Sequence, residues 1–399
     1  MKFTEFKLNE QLLEAISYMG FDEATPVQAK AIPEITNDND LIACAQTGTG
    51  KTAAFVLPVL DKLSKEEQTS VKTLIIVPTR ELAIQIDQEI QGFSYFTDIN
   101  SRPVYGGGDG QDYETERNAL LGNADIIVAT PGKLILHLKM GYVKFDDIKY
   151  LILDEADRML DMGFYDDIMK IVSYLPKKRQ TLMFSATMPP KIRTLANQIL
   201  KDPAEINIEL SKPAEGILQA GYLVYEEQKS ALISHLIRDK QEYESILIFT
   251  STKSNVSKIV RKLKGNDFSI EGISSDLEQR EREEVLSRFR SRRTRVLVAT
   301  DVISRGIDIK DIHLIINYDV PGDAEDYVHR VGRTARAEAT GVAITLINED
   351  DMIRFQRIEK LIESKIIKLP VPPDIGQSPE WKTSPRQKPK KKRYNKRRK

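Results

Sequence analysis

The sequence holds one cysteine, Cys44, and one tryptophan among 399 residues. A lone thiol forms no internal disulfide, which excludes the stapled secreted scaffolds. Four scattered histidines offer no metal-ligand spacing. No apolar run approaches the ~20 residues that span a bilayer. The opening Met1-Lys2-Phe3-Thr4-Glu5-Phe6-Lys7 also lacks the apolar stretch of a secretion signal. These absences lead to the expectation of a soluble intracellular protein without a structural metal. What is present is an ordinary globular mixture, 41% hydrophobic and 30% charged, at a length that favours two or three domains.

A formal net charge of zero hides an asymmetry. Of 59 Lys and Arg, eleven fall within residues 382–399, which contain no acid. The body before them carries 48 against 59 Asp and Glu, about −11. An acidic body with a basic tail points to a polyanionic partner for the tail, although many basic tails only aid solubility.

Short apolar runs recur at Leu41–Cys44, Leu74–Val77, Ile126–Val128, Leu151–Leu153 and Leu182–Phe184, separated by segments of helical period. Continuous hydrophobic strands alternating with helices indicate a parallel sheet covered on both faces. Pro203 and the stretch 209–216 read as a linker, after which the pattern restarts at Ile246–Phe249, Val296–Val298, Leu314–Ile316 and Val342–Leu346. The expected organisation is an α/β domain over 1–208, a linker, a second over 217–368, and a Pro-rich then basic tail over 369–399 without fixed structure. No short repeat relates the halves, so any kinship is architectural.

Ligands of open parallel sheets sit beyond the carboxyl ends of the strands, and polar clusters follow the strands there. Ala45-Gln46-Thr47-Gly48-Thr49-Gly50-Lys51-Thr52 lies between strand and helix. Its glycines let backbone N–H groups cradle phosphates, Lys51 would reach the β and γ phosphates, and the Thr52 hydroxyl would hold Mg²⁺. Asp154-Glu155-Ala156-Asp157 ends an apolar run. Asp154 would hold Mg²⁺ through water, and Glu155 would orient and deprotonate the attacking water. Separately these are a glycine-rich turn and an acidic strand end; together they describe a nucleotide site.

At this point the chain resembles the DEAD-box ATP-dependent RNA helicases, over Phe6 to about residue 347. The resemblance implies two tandem RecA-like domains with an ATP and RNA cleft between them. Gly20-Phe21-Asp22-Glu23-Ala24-Thr25-Pro26-Val27-Gln28 is similar to the adenine-reading Q motif, with Phe21 to stack on the base and Gln28 to pair with its edge. Pro78-Thr79-Arg80, Gly106-Gly107 and Thr130-Pro131-Gly132-Lys133 resemble the RNA-contacting motifs of the first domain, with Lys133 where Arg is common. Ser185-Ala186-Thr187 resembles the motif that couples hydrolysis to strand separation.

In the second half, Thr250 falls in the fourth-motif region, and Gln279 and Arg282 keep a Gln-x-x-Arg spacing, although Ser274-Ser275 replaces a common His-Gly. Thr300 and Arg305 would face RNA phosphates, and Asp308 the ATP ribose. His329 would couple, while Arg333 and Arg336 would act as arginine fingers from the opposite domain. Ala335 stands where Gly is usual.

The resemblance implies an RNA-stimulated ATPase that locally unwinds short duplexes or remodels RNA–protein complexes. ATP and Mg²⁺ are its expected cofactors, RNA its partner through phosphate and sugar, and a cytoplasmic monomer its expected form. Ribosomal or RNA-decay partners fit the family, and the short body with its basic tail looks most like the bacterial RhlE-like group. Two rivals stay open on sequence: an ATP-gated RNA clamp with little unwinding, and a DNA-directed motor or phosphate-loop kinase.

Overall fold

A computed structural model describes residues 1–45, 48–66, 70–106, 112–208, 217–264, 268–274, 276–300, 312–334 and 341–381. The chain divides into two compact units, one ending within the 209–216 stretch and one beginning there. Among the described residues, no helix is long and apolar enough to cross a membrane.

The first unit is built on seven parallel strands: β1 (Leu41–Cys44), β2 (Thr73–Ile76), β3 (Ser101–Val104), β4 (Ile126–Ala129), β5 (Tyr150–Leu153), β6 (Gln180–Ser185) and β7 (Ala204–Asn207). Their order across the sheet is β3-β4-β2-β5-β6-β1-β7. Successive side chains of a strand point to opposite faces, so an all-apolar strand serves two cores. Leu41, Ile75, Ile126, Val128 and Ile152 enter one hydrophobic cluster. Ile42, Leu74, Ile76, Ile127, Leu151 and Leu153 enter the other. Helices α1 (Glu10–Tyr18), α2 (Pro26–Thr36), α3 (Lys51–Leu63) and α4 (Arg80–Phe93) supply the first face. The second face is built with α5 (Asp112–Asn118), α6 (Pro131–Lys139), α7 (Ala156–Asp161), α8 (Tyr165–Ser173) and α9 (Pro190–Ile199) in chain order, of which α6 to α9 bring residues such as Leu134, Met159, Ile168 and Leu195.

The second unit repeats the plan. Its strands are β8 (Leu218–Leu223), β9 (Ile246–Thr250), β10 (Ile270–Ile273), β11 (Val296–Thr300), β12 (Leu314–Asn317), β13 (Val342–Ile347) and β14 (Ile367–Pro370). They lie parallel in the order β10-β11-β9-β12-β13-β8-β14. Numbered within each unit, both orders are 3-4-2-5-6-1-7. The kinship of the halves is therefore topological, with no sequence repeat behind it. Helices α10 (Lys229–Ile237), α11 (Lys253–Lys264) and α12 (Gln279–Arg290) follow β8, β9 and β10.

The second sheet runs past the expected domain end at residue 368. β14 pairs with β8 from Ile367 to Pro370, and Val371 is buried. Trp381 then packs edge-on against Phe355, with the Lys368 ammonium 4.6 Å from the indole centre. Prolines suit an edge strand because their missing N–H faces no partner. Proline content alone therefore misplaced this boundary.

Candidate functional site

All strands of the first unit point their carboxyl ends to one edge, and the sheet order sorts what stands there. Neighbours β5-β6-β1 carry the DEAD tetrapeptide, Ser185 and the phosphate loop. Neighbours β3-β4-β2 carry Tyr105-Gly106, Thr130 and Pro78-Thr79-Arg80. Nucleotide and RNA candidates thus occupy adjoining halves of a single edge.

The phosphate loop leaves β1 at buried Ala45, whose N–H donates to Ser185 O at 2.9 Å. Gly48 and Gly50 both have φ of +85°. At Gly50 a side chain is also excluded by space, since an added Cβ would lie 2.4 Å from Gln28 Nε2. Lys51 opens α3, is buried, and donates to Ala45 O at 3.0 Å, which folds its ammonium back over the loop. Thr52 and Thr49 are half-buried beside it. Gln46 and Thr47 lie outside the described residues.

Gln28 is 1% exposed. Thr25 caps α2 with Pro26 at the first helical position, and Gln28 closes the capping box by accepting the Thr25 N–H at 2.8 Å. Its Nε2 donates to Gly50 O at 3.0 Å. The amide is thus engaged by the helix start and the phosphate loop rather than open for a base. Phe21 is half-buried among aromatics, 5.5 Å from Phe93 and 6.3 Å from Phe3, centre to centre.

At the end of β5 the four residues of the tetrapeptide part ways. Asp154 is 3% exposed, donates its N–H to Ile76 O at 3.0 Å and accepts the Glu155 N–H at 2.9 Å. Burial pushes its carboxyl up to about 6 against the pull of the Lys51 ammonium, and the neighbouring Glu155 and Asp157 add to the rise. Glu155 takes left-handed backbone angles (φ 51°, ψ 49°) at the head of α7. Its carboxylate is gripped by buried Arg158 at 2.9 Å, one helical turn on. Asp157 accepts both the N–H and the hydroxyl of Thr187, at 3.0 and 3.1 Å, while its own N–H donates to Ser185 Oγ at 3.3 Å. Ser185 donates in turn to Thr187 O at 2.8 Å. Ser185 and Thr187, two of the coupling residues expected from sequence, are therefore hydrogen-bonded to the last residue of the carboxylate motif.

The donor set suits a divalent cation. Asp154 is a hard oxygen ligand whose charge is disfavoured by its surroundings, and Thr52 adds a hydroxyl at the start of α3; such sparse sets suit Mg²⁺, which keeps most of its waters.

On the other half of the edge, buried Pro78 precedes Thr79, which caps α4 by accepting the Leu82 N–H at 3.3 Å. The Arg80 guanidinium lies 4.4 Å over the Tyr105 ring. Thr130 starts α6 without a side-chain cap bond, leaving its hydroxyl free of that role, and Gly132 is exposed. Gly107 lies outside the described residues.

One buried residue that sequence reasoning missed joins these segments. Glu116 accepts from Tyr105 N–H at 3.3 Å and Lys133 Nζ at 2.9 Å, and contacts His137 Nε2 at 3.1 Å. Burial raises its carboxyl, but His137 and Lys133 outweigh that and hold it below the usual range. Tyr113 stacks on His137 with centres 5.3 Å apart, and Tyr142 bonds the other ring nitrogen.

In the second unit Thr250 is fully buried, and its hydroxyl donates to Asp319 at 2.7 Å. The exposed group at that strand end is Ser251, whose N–H also donates to Asp319 at 2.7 Å. Burial would raise Asp319, but Ser251, Lys229 and Thr250 together hold it low. Thr300 lies beside Thr250 in register, half-buried at the end of β11. Arg282 is half-buried and donates to Leu277 O at 3.1 Å. Helix Ala324–Val331 carries half-buried His329, and Arg333 follows in the turn, its N–H donating to Arg330 O at 3.2 Å. Arg330 is buried against Asn317 and Asp319, 3.0 and 2.9 Å away. Arg305, Asp308 and Arg336 lie outside the described residues.

The Asp154 carboxyl gives a stability prediction. Its proton is held more tightly in the folded chain than in the unfolded one, so its charge costs stability as pH rises from about 4 through 6, and the cost is fully present above. The difference between 3.8 and about 6 is roughly 3 kcal/mol. Asp154→Asn removes it. Calorimetry in chelator without nucleotide should show a Tm several degrees above wild type at neutral pH, the gap closing towards pH 4. A lower Tm at neutral pH would contradict this electrostatic account.

With the geometry in place, comparison with known proteins is direct. Residues 25–195 match the DEAD/DEAH box helicase family and residues 227–338 the helicase conserved C-terminal domain. The chain is similar to the DEAD-box ATP-dependent RNA helicase CshA of Geobacillus kaustophilus, 39% identical over 93% of this chain and 78% of that protein. It is also similar to the ATP-dependent RNA helicase CshA of Listeria monocytogenes, at 41% identity over 93% and 71%. Among solved structures, Saccharomyces cerevisiae Dbp5 bound to RNA and ADP BeF3 superposes with a TM-score of 0.82 at 30% identity, over 92% of this chain and 95% of that one. Mss116p bound to single-stranded RNA and AMP-PNP gives 0.81 at 30% identity, over 94% and 80%. The chain belongs to the DEAD-box ATP-dependent RNA helicases.

Proposed function

We propose that this helicase works as a two-unit clamp, in which ATP and RNA each favour closure and so favour each other's binding. The observation that carries the reading is the single sheet edge of the first unit, where the nucleotide half and the RNA half adjoin. The ATP-analogue and RNA-bound states named for Dbp5 and Mss116p support it. Lys51 holds the β and γ phosphates, and the glycine loop leaves room for them. Asp154 and Thr52 would hold Mg²⁺, which supplies charge neutralisation to the transferring phosphoryl group. Glu155, fixed by Arg158, takes the proton of the attacking water. Gln28 meets adenine by exchanging its bond to Gly50 for one to the base, which would link base recognition to the shape of the phosphate loop.

Arg333 and Arg336 of the second unit stabilise the developing charge, and Asp308 meets the ribose. Asp157, Ser185, Thr187 and His329 carry the state of the nucleotide half to the RNA half. Pro78, Thr79, Arg80, Gly107, Thr130, Gly132, Arg282, Thr300 and Arg305 meet phosphate and sugar. Thr250 acts through Asp319, aiming the Ser251 backbone rather than touching RNA. Closing bends one strand and expels its partner, with little sequence preference. Unwinding is favoured over a passive clamp because the hydrolytic residues are all present.

We place the protein in the cytoplasm as a monomer acting on ribosomal or decay-related RNA. The basic tail supports the RhlE-like reading within the family, whereas the relatives named above carry the name CshA. Salt-sensitive contacts of residues 382–399 would raise affinity for any RNA.

Lys51→Ala should abolish nucleotide binding. Glu155→Gln should lower RNA-stimulated turnover by about 10²–10⁴ while ATP and RNA still bind. Turnover close to wild type in the Glu155→Gln protein would remove the assigned base. Glu116 is a positioning residue in this scheme, because it aims Lys133 and the Tyr105-Gly106 backbone before RNA arrives. In Glu116→Gln, the RNA concentration giving half-maximal ATPase should rise several-fold, while the RNA-free and RNA-saturated rates stay near wild type. An unmoved half-saturation point would show that Glu116 only supports the fold.

A further inference from the structure

The stretch 245–264 contains no acid and five cations, in a body whose net charge is about −11. Most of it is β9 and α11. Helix α11 buries Val256, Ile259 and Leu263 towards the sheet. Its opposite face exposes Lys258, Arg261 and Lys262, three residues within about one turn, with Lys264 at the flank. Lys253, at the helix start, pairs with an acid, Asp276, at 2.7 Å. No ion pair to Lys258, Arg261 or Lys262 is found among the described residues. Three cations crowded on one helix face repel one another and gain from a polyanion.

The position of this face gives it a use. α11 starts just after Ser251 at the carboxyl end of β9, the edge assigned above to RNA. At a rise of 1.5 Å per residue, Lys258 and Lys262 lie roughly 8 and 14 Å along the helix from its start. Beside them runs a groove of about 210 Å³ lined by Asn255, Lys258, Lys262 and Tyr318, and also by Glu226 and Glu227. Glu226 is taken by Lys229 at 2.8 Å, which lessens its repulsion of a phosphate. None of the three cations belongs to a family motif identified above.

We propose that the outer face of α11 is an auxiliary RNA-backbone surface, which catches strand running on beyond the Ser251–Thr300 edge. The inference rests on the reading that RNA crosses that edge. Phosphate is the group recognised, so the contact is independent of sequence and of nucleotide.

The test is Lys258→Ala/Arg261→Ala/Lys262→Ala in the full chain, with folding checked by thermal melting. Two RNAs are compared: a short oligoribonucleotide confined to the motif path, and one with a long single-stranded extension. On the extended RNA the variant should bind at least about fivefold more weakly, and the slope of log K against log salt should shrink by about 2 for three lost single-strand contacts. On the short RNA, affinity should match wild type, as should the ATPase rate without RNA. A Lys258→Arg/Lys262→Arg variant should retain wild-type binding, since charge is conserved. Unchanged affinity and slope on the extended RNA would overturn the proposal and leave the face to an acidic protein partner. Equal weakening on both RNAs would overturn it too, placing the cations in the motif path. Failure of the underlying reading looks different: the wild-type ATPase would then respond to neither RNA.

Discussion

A carboxylate kept out of water is the constraint around which the first unit is arranged. Asp154 sits at the end of a strand packed on both faces, and burial raises its carboxyl despite the Lys51 ammonium. Such a group is expensive in the resting fold, a cost that fits the cation-binding role proposed for it. The neighbouring bonds follow from holding it there. Glu155 turns left-handed and is gripped by Arg158, while Asp157 faces away to Ser185 and Thr187. Four consecutive residues thereby take separate places: a buried carboxylate, an ion pair, a helix start and a hydrogen-bonded link to Ser185 and Thr187.

The second unit repeats the topology without the phosphate loop. Its strand ends hold a different polar centre, in which Asp319 gathers Ser251, Thr250 and Lys229. Arg330, the buried arginine of the His329–Arg333 run, braces the same loop through the Asp319 carbonyl. The arginine run thus divides its work: Arg330 is structural, while Arg333 stands in the turn beyond the helix. Two copies of one sheet order thus carry different polar groups at their strand ends, a glycine-rich loop with Lys51 in one and the Asp319 centre in the other.

Much of this was legible in the sequence because strands buried on both faces read as unbroken apolar runs, and because loops at one sheet edge collect polar motifs. The phosphate-loop motif, the carboxylates and Ser185–Thr187 are local in sequence, and their described residues stand at strand ends. Glu116 was not legible. It lies between motifs, and only the fold brings Lys133, His137 and Tyr105 to it. Gln28 and Thr250 show a further limit: spacing identifies a polar residue near a site, but not whether its hydrogen bonds are already taken by Gly50 or Asp319. The ending at residue 368 failed for a different reason. Proline-rich sequence reads as irregular, yet β14 needs few donors at a sheet edge, and Trp381 supplies an apolar anchor that its isolation in the sequence conceals.

The account stands on the claim that the second unit supplies charge to a reaction prepared on the first. The most direct measurement is steady-state ATP hydrolysis by full-length Arg333→Ala/Arg336→Ala with saturating RNA, beside nucleotide binding by the same protein. The account predicts turnover lowered by ~10³ or more with ATP still bound. A turnover within a few-fold of wild type would contradict it.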